Sequence, residues 1–179
     1  MVYFIFNTMP HYYYTITMSK KEINGIRNIL VNRKAYHDFS VIQTFEAGIS
    51  LTGTEVKSAK EGKISFRDGF CFIKNGEIFL KNVHISRYPY GNRINHDPDR
   101  DRKLLLHKRE ISRLNAKVRE KGFTIVPLRA YEKRGKIKVE IGLVKGKRLY
   151  DKKEDIRTRD QMRDLKRSFK TSDLSGKLK

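Results

Sequence analysis

The chain has 179 residues, and 40 Lys and Arg against 20 Asp and Glu give a formal net charge of +20. An excess this large argues against a merely solvated surface and points to a polyanionic partner, because neutralised phosphates release their counterions. One cysteine, Cys71, excludes an internal disulfide and fits a reducing, cytoplasmic setting. No apolar run is long enough to cross a bilayer, so no membrane is expected as a partner.

Residues 1–22 read as an unstructured extension. Met1 to Met18 is rich in Tyr and Phe and lacks both Lys and Arg. It has neither the positive start nor the cleavage site of a secretory signal. Met18 precedes Ser-Lys-Lys-Glu, an ordinary polar opening, and Met18 or Met9 is the expected true start of synthesis.

Residues 23–145 carry the folded domain. Asn32 caps a short helical turn over Arg33 to His37. Phe39 to Leu51 alternates as a strand, with Phe39, Val41, Phe45, Ala47, Ile49 and Leu51 on one parity. Gly48 and Gly53 let it bend, and a helix follows from an N-cap at Thr54 to a stop at Gly62. Ile64 to Tyr88 reads as short strands. Within it Asn75-Gly76 marks a hairpin, because a type I′ turn needs positive φ at both central positions, and Asn82 to Ile85 continues as a strand.

Pro89 to Arg102 reads as a polar loop. Lys103 to Lys121 is expected to be helical, with Leu104, Ile111, Leu114 and Val118 on one stripe and Gly122 as the stop. Phe123 to Tyr131 and Lys136 to Val144 form a second hairpin around Glu132-Lys-Arg-Gly135. Pro127 requires an edge or a bulge. These short antiparallel strands predict a mainly β fold with short helices: a small barrel of the oligonucleotide-binding type, with flanking helices and a C-terminal tail.

Residues 146–179 lose the apolar pattern and should not hold a fold alone. Asp155–Arg159, Asp160–Arg163 and Asp164–Arg167 are helix-spaced pairs, so the tail can become helical on RNA.

Chemistry is sparsely signalled. Five histidines and one cysteine give no metal-site spacing, and no nucleophile motif or phosphate-cradling loop appears. No catalytic residue, metal or other cofactor is therefore expected. Glu55-Val56-Lys57, with Asp38 or Glu46 upstream, loosely matches the acidic and Glu-x-Lys pattern of metal-dependent nucleases. That pattern needs a strand, whereas these residues fall in a predicted helix. RNA-binding signals lie at Asn32, Arg33, Lys34 and His37, at Lys103 with the basic face of the following helix, and in the tail. Tyr88 and Tyr90 are candidates for stacking on bases. A general ribosome-associated or cold-shock-like RNA binder fits these features as well.

Longer motifs narrow the choice. Asn32-Arg-Lys-Ala-Tyr-His-Asp38, Phe45-Glu-Ala-Gly-Ile49, Gly53-Thr-Glu-Val-Lys-Ser58, Asn82-Val-His-Ile85, Asp97-Pro98 with Arg100 and Arg102, Lys103-Leu-Leu-Leu-His-Lys-Arg-Glu-Ile111, Lys138-Val-Glu-Ile141 and Gly146-Lys-Arg148 with Asp151-Lys152 stand in order. In these the chain resembles the SsrA-binding, or small protein B, family of bacterial trans-translation, from about Ile26 to the C-terminus. The resemblance implies binding to the tRNA-like domain of transfer-messenger RNA (tmRNA, SsrA RNA). It further implies delivery to stalled ribosomes, where the barrel stands in for an anticodon arm and the tail folds along the empty mRNA channel, among the rRNA. It implies indirect partnership, through tmRNA, with elongation factor Tu and alanyl-tRNA synthetase, and no catalysis by the protein.

Carried over position by position, Glu46 matches a glutamate at the RNA surface and Asn32 an asparagine of the same RNA-facing region. Leu105 and His107 match positions beside the RNA elbow, and His37 a histidine facing the decoding centre. Gly146, Lys147, Arg148, Asp151, Lys152 and Lys153 match the start of the ribosome-engaging tail, which continues through Arg159 and Arg163. Glu46 is expected to be a buried acid that accepts bonds from base or ribose donors or orients a nearby cation. Where the family shows Gly-Lys-Lys and Asp-Lys-Arg, this chain has Arg148 and Lys153, and Lys153 lacks arginine's planar fork.

Overall fold

The computed structural model describes residues 25–91, 95–147 and residue 161. The expected extension over 1–22 lies outside these residues, and so does nearly all of the tail.

The first described strand, β1 (Ile26–Val31), runs into a one-turn helix, α1 (Arg33–Asp38). Asn32 caps it as expected, its Oδ1 accepting the Ala35 N–H at 3.0 Å. Strand β2 (Phe39–Ile49) follows directly. Helix α2 (Gly53–Lys60) starts two residues earlier than expected: its N-cap is Thr52, not Thr54. The deciding group is Glu55, whose Oε2 accepts the Thr52 N–H at 2.7 Å. Thr52-x-x-Glu55 is thus the acid half of a capping box, while Thr54 Oγ1 turns to His96 Nδ1 at 3.0 Å. Gly62, at φ +80°, ends the element as expected.

Strands β3 (Ile64–Ser65) and β6 (His84–Ile85) form a small separate pair. Between them, β4 (Phe70–Lys74) and β5 (Glu77–Lys81) make the expected hairpin, with φ +52° at Asn75 and +73° at Gly76. The strand expected from Asn82 shortens to His84–Ile85 because Asn82 adopts φ +58°.

The main correction concerns 102–107. The expected loop and helix meet instead in a strand, β7 (Arg102–Leu105), and the helix α3 (Lys108–Val118) begins later. Arg102 and Leu104 are buried while Leu105 is exposed, which is strand alternation. The seven-residue step from Leu104 to Ile111 imitated a helical stripe. The true start is marked by His107 and Glu110, whose Oε2 accepts the His107 N–H at 3.1 Å.

Strands β8 (Phe123–Lys133) and β9 (Lys136–Gly146) form the second hairpin, turning at Arg134 and Gly135 with φ +51° and +76°. The strand order is β1-β8-β4-β5-β7-β2-β9, and β9 pairs back to β8. The ring β8-β4-β5-β7-β2-β9 therefore closes, every paired strand antiparallel to its neighbour. Closure removes the open edges of these six strands, while β1 pairs with β8 from outside the ring. Ala47, Ile78, Leu80, Leu104, Ala130 and Val139 fill the interior with Ile111 and Leu114 of α3. Cys71 is buried among them, and burial pushes its thiol far up, as suits a core residue.

Two bulges refine the single-parity reading of β2. The pairing with β9 slips one residue between Val41 and Gln43, leaving Ile42 as the extra, 58% exposed residue. Phe39 and Val41 therefore pack outside the barrel, beneath α1, whereas Phe45 and Ala47 point into the core. Strand β8 slips likewise between Pro127 and Arg129. Pro127 sits at that bulge on a strand with partners on both sides, so the bulge half of the expectation holds and the edge half does not.

Candidate nucleic-acid interface

Strand β9 is straight, so its even-numbered residues share the outer face: Lys138, Glu140, Gly142 and Val144. Beyond its bulge, β2 adds Glu46 and Gly48 to that face, and β8 adds Arg129, Tyr131 and Lys133. Glu46 is exposed at 37% of its side chain, not buried as expected. It is nonetheless well held. Tyr131 Oη donates to Oε2 at 2.5 Å, Lys133 Nζ at 3.0 Å, and Lys138 Nζ bonds Oε1. The Lys138 and Tyr131 bonds, against a smaller cost of burial, pull the Glu46 carboxyl down to about 2. Glu46 is therefore anionic throughout the physiological range. Of the two roles expected of it, orienting cations is the one visible in the geometry.

Tyr131 is itself buried, and its hydroxyl is pushed up first by burial and then by its bond to Glu46. The Arg129 guanidinium lies 4.9 Å from its ring centroid and bonds Glu140 at 2.6 and 2.9 Å. The result is a braced patch in which two ammonium groups flank one carboxylate. Lys133 and Lys138 were missed in the sequence. Only the β2–β9 and β8–β9 registers together bring Glu46 beside them, and no local motif announces a register.

Around the barrel from Glu46, Gly48 pairs with Leu105 on β7. A Cβ at Gly48 would lie 3.2 Å from Leu105 Cβ, so glycine lets this 56% exposed leucine lie flat on the strand. Lys103, on the same outer face, pairs with Glu77. His107 is exposed at the start of α3. Glu46, Lys103, Leu105 and His107 are thus brought onto one side.

The α1 group lies apart, at the other end of the same outer strip. Its helix packs over Val144, and Lys138 to Val144 spans about 20 Å of strand. Arg33 and Lys34 are exposed there, with Lys34 Nζ 2.7 Å from Asp68. The His37 ring is half-exposed, its Nδ1 2.9 Å from Asp38. Asn32 is occupied structurally. Its Nδ2 donates to the Pro127 carbonyl at 2.9 Å and its N–H to the Leu128 carbonyl at 2.7 Å, which ties α1 to the β8 bulge. Lys147 continues from β9 and anchors to this group, Nζ to the Tyr36 carbonyl at 2.9 Å. Gly146 ends β9, while Arg148, Asp151, Lys152, Lys153, Arg159 and Arg163 lie outside the described residues.

Glu55, the acid of the nuclease pattern, is held in structural contacts. Its side chain is fully buried and bonds Arg100 Nε at 2.9 Å, Arg102 Nε at 2.9 Å and the Thr52 N–H. Lys57 is turned to the Tyr88 ring, 5.4 Å from its centroid. Arg100 Nη2 adds a fourth bond, to Oε2 at 2.5 Å, so all four lone-pair sites of the carboxylate are engaged and none is left for a catalytic cation.

The SmpB protein family model matches residues 29–171. The chain belongs to the SmpB family. The SsrA-binding protein of Geobacter sulfurreducens is 54% identical over 151 residues, covering 84% of this chain and 99% of that protein. The SsrA-binding protein of Geotalea uraniireducens is 59% identical over 134 residues, 75% of this chain and 89% of that one. Among solved structures, a chain from "tmRNA-SmpB: a journey to the center of the bacterial ribosome" aligns with a TM-score of 0.58 at 49% identity. That alignment covers 72% of this chain and 94% of the other. The mainly β, ring-closing fold described above agrees with this SmpB neighbour. No helix among the described residues is long and apolar enough to cross a membrane.

Proposed function

We propose that this chain binds the tRNA-like domain of tmRNA through the outer face around Glu46 and Leu105 and delivers it to stalled ribosomes. The reading rests on family membership and on relatives that are SsrA-binding proteins. The observation that carries it is the patch itself: Glu46, ionised and exposed, holds Lys133 and Lys138 in fixed positions beside Leu105. Ammonium groups already aligned by a carboxylate lose little freedom when they meet phosphate. Leu105 offers an apolar contact to an unstacked base or ribose face. The α1 group, about 20 Å along the strip, is left to face the ribosome through Arg33, Lys34 and His37. The tail, through Arg148, Asp151, Lys152, Lys153, Arg159 and Arg163, then enters the mRNA channel as a helix. The protein works in the cytoplasm without catalysing a reaction, and meets alanyl-tRNA synthetase and elongation factor Tu only through the RNA.

Glu46→Arg tests this. It replaces the aligning carboxylate with a third cation between two lysines, and affinity for tmRNA in a gel shift should fall about a hundredfold. The far-UV spectrum should stay native, since the site is at the surface. Unchanged affinity, or equal affinity of the parent chain for tmRNA and competitor tRNA, would count against the proposal. The second outcome would favour a general RNA binder.

A further inference from the structure

Strands β4 and β5 turn three phenylalanines outward. Cys71, Ile78 and Leu80 take the inward positions, so Phe70, Phe72 and Phe79 share the outer face. Phe72 and Phe79 stack across the hairpin, centroids 5.5 Å apart and planes 21° from parallel. Phe70 joins them at 6.4 Å and is 36% exposed. One cross-strand aromatic pair is ordinary sheet stabilisation. A row of three on a wet face is not, since β4 would lose no core contact with a polar residue at Phe70.

Each end of the row has a cation on the neighbouring strand. Phe70 pairs with Lys81, and Phe79 pairs with Lys103. Adjacent strands lie about 5 Å apart, so aromatic and lysine positions are neighbours across the face. Lys74 extends the row beyond Phe72. Among the described residues, Lys74 and Lys81 have no ion-pair partner, and Glu77 answers Lys103 alone. The face is therefore aromatic and net cationic. Its match is a polymer that is anionic and carries flat π faces at regular intervals. Unpaired RNA has both properties, whereas in a duplex the base faces are covered by stacking.

We propose that Phe70, Phe72 and Phe79, with Lys74, Lys81 and Lys103, form a stacking platform for an unpaired segment of RNA. It adjoins the Leu105 surface through β7, so it extends the RNA-binding face proposed above and rests on that reading.

The test uses the full chain, a short fluorescein-labelled oligouridylate, a duplex RNA of the same length, and tmRNA with tRNA as competitor. Phe72→Leu with Phe79→Leu keeps apolar bulk and removes both π faces. Anisotropy titration should show about a tenfold loss of affinity for the oligouridylate and little change for the duplex. Equal losses on both probes, or none on either, would overturn the platform. So would a change confined to sedimentation of the protein alone, which would make the face a contact between copies of the chain. Should the double variant fail to melt cooperatively, Lys81→Gln carries the test without touching the rings. It should lower the salt slope for oligouridylate by about one, and an unchanged slope overturns the proposal. Parent chain that still prefers tmRNA to tRNA while the oligouridylate result fails would sink the platform alone. Loss of that preference would sink the function proposed above.

Discussion

Glu55→Gln should be among the most damaging conservative changes in this domain. Glu55 and Arg102 are both fully buried, with Arg102 Nε 2.9 Å from Oε1. Arg102 also donates to the carbonyls of Val83 at 2.6 Å, Pro98 at 2.8 Å and Arg100 at 3.0 Å. These ties join α2, β7 and the segments before and after β6 in one knot. Glutamine keeps the shape and loses the charge. It also turns one acceptor into a donor facing Arg100, Arg102 or the Thr52 N–H. An arginine left in the core without its anion costs about 3–5 kcal/mol. The three carbonyls hold the expected value at the lower end. In a chain of this size that lowers Tm by roughly 10 °C.

Far-UV melting at pH 7 measures the loss. Arg102→Met and the Glu55→Gln, Arg102→Met pair complete a cycle, and a coupling of about 2 kcal/mol is expected. The pH dependence has a definite sign. Burial raises the Glu55 carboxyl, but the Arg100 bond, the Thr52 N–H and the Arg102 charge outweigh it and leave it below its ordinary 4.5. The stabilisation is complete above that ordinary value and is lost as pH falls through the depressed folded-state value. Parent protein should therefore lose stability on acidification more steeply than Glu55→Gln. A loss under about 1 kcal/mol at pH 7, or an additive cycle, would refute the reasoning.

Asn32→Ala removes both the α1 cap and the bond to the Pro127 carbonyl, and should cost about 2 kcal/mol in urea unfolding. Asn32→Asp, which keeps the capping oxygen and loses the amide donor, should recover part of it. Gly69→Ala should destabilise by about 1–3 kcal/mol. Its Cβ would lie 2.6 Å from the Phe66 carbonyl oxygen, a backbone atom that cannot retreat alone, and 2.9 Å from Val83 Cγ2. Gly53→Ala is the control: nothing lies within 4 Å, and in the first turn of α2 it should be neutral or slightly stabilising, by under about 1 kcal/mol.

What could be read in the sequence was local in cause. The Asn75-Gly76 and Arg134-Gly135 turns depend on their own positive φ, and the α1 cap on one side chain three residues from its target. The strand β7 could not be read this way. Arg102 and Leu104 become inward positions only because β5 and β2 stand on either side. For the same reason Arg100 and Arg102 read only as the end of a polar loop. Their anion lies 45 and 47 positions upstream on α2, a separation no periodicity spans.

The Glu46 patch was half legible, and the missing half lies in the bulges. Before Ile42 the odd-numbered residues of β2 face outward, under α1. Unbroken alternation would keep them outward and send Glu46 into the core beside Val139. The extra residue at Ile42 exchanges the two faces, so Phe45 enters the barrel and Glu46 leaves it. Strand β8 does the same at its own bulge: Ile125 faces inward before it, Ala130 after it, and Tyr131 is turned out to meet Glu46. Strand β9, between them, has no bulge and presents Lys138 to both. Two one-residue insertions on either side of a straight strand thus turn what would be a buried acid out to the surface, braced there by the tyrosine beneath it. Apolar alternation had put Phe39 and Val41 on the same face as Phe45 and Ala47, whereas only the latter two enter the barrel. It could not foresee the exchange of faces, because a bulge exists only in the mismatch between two strands.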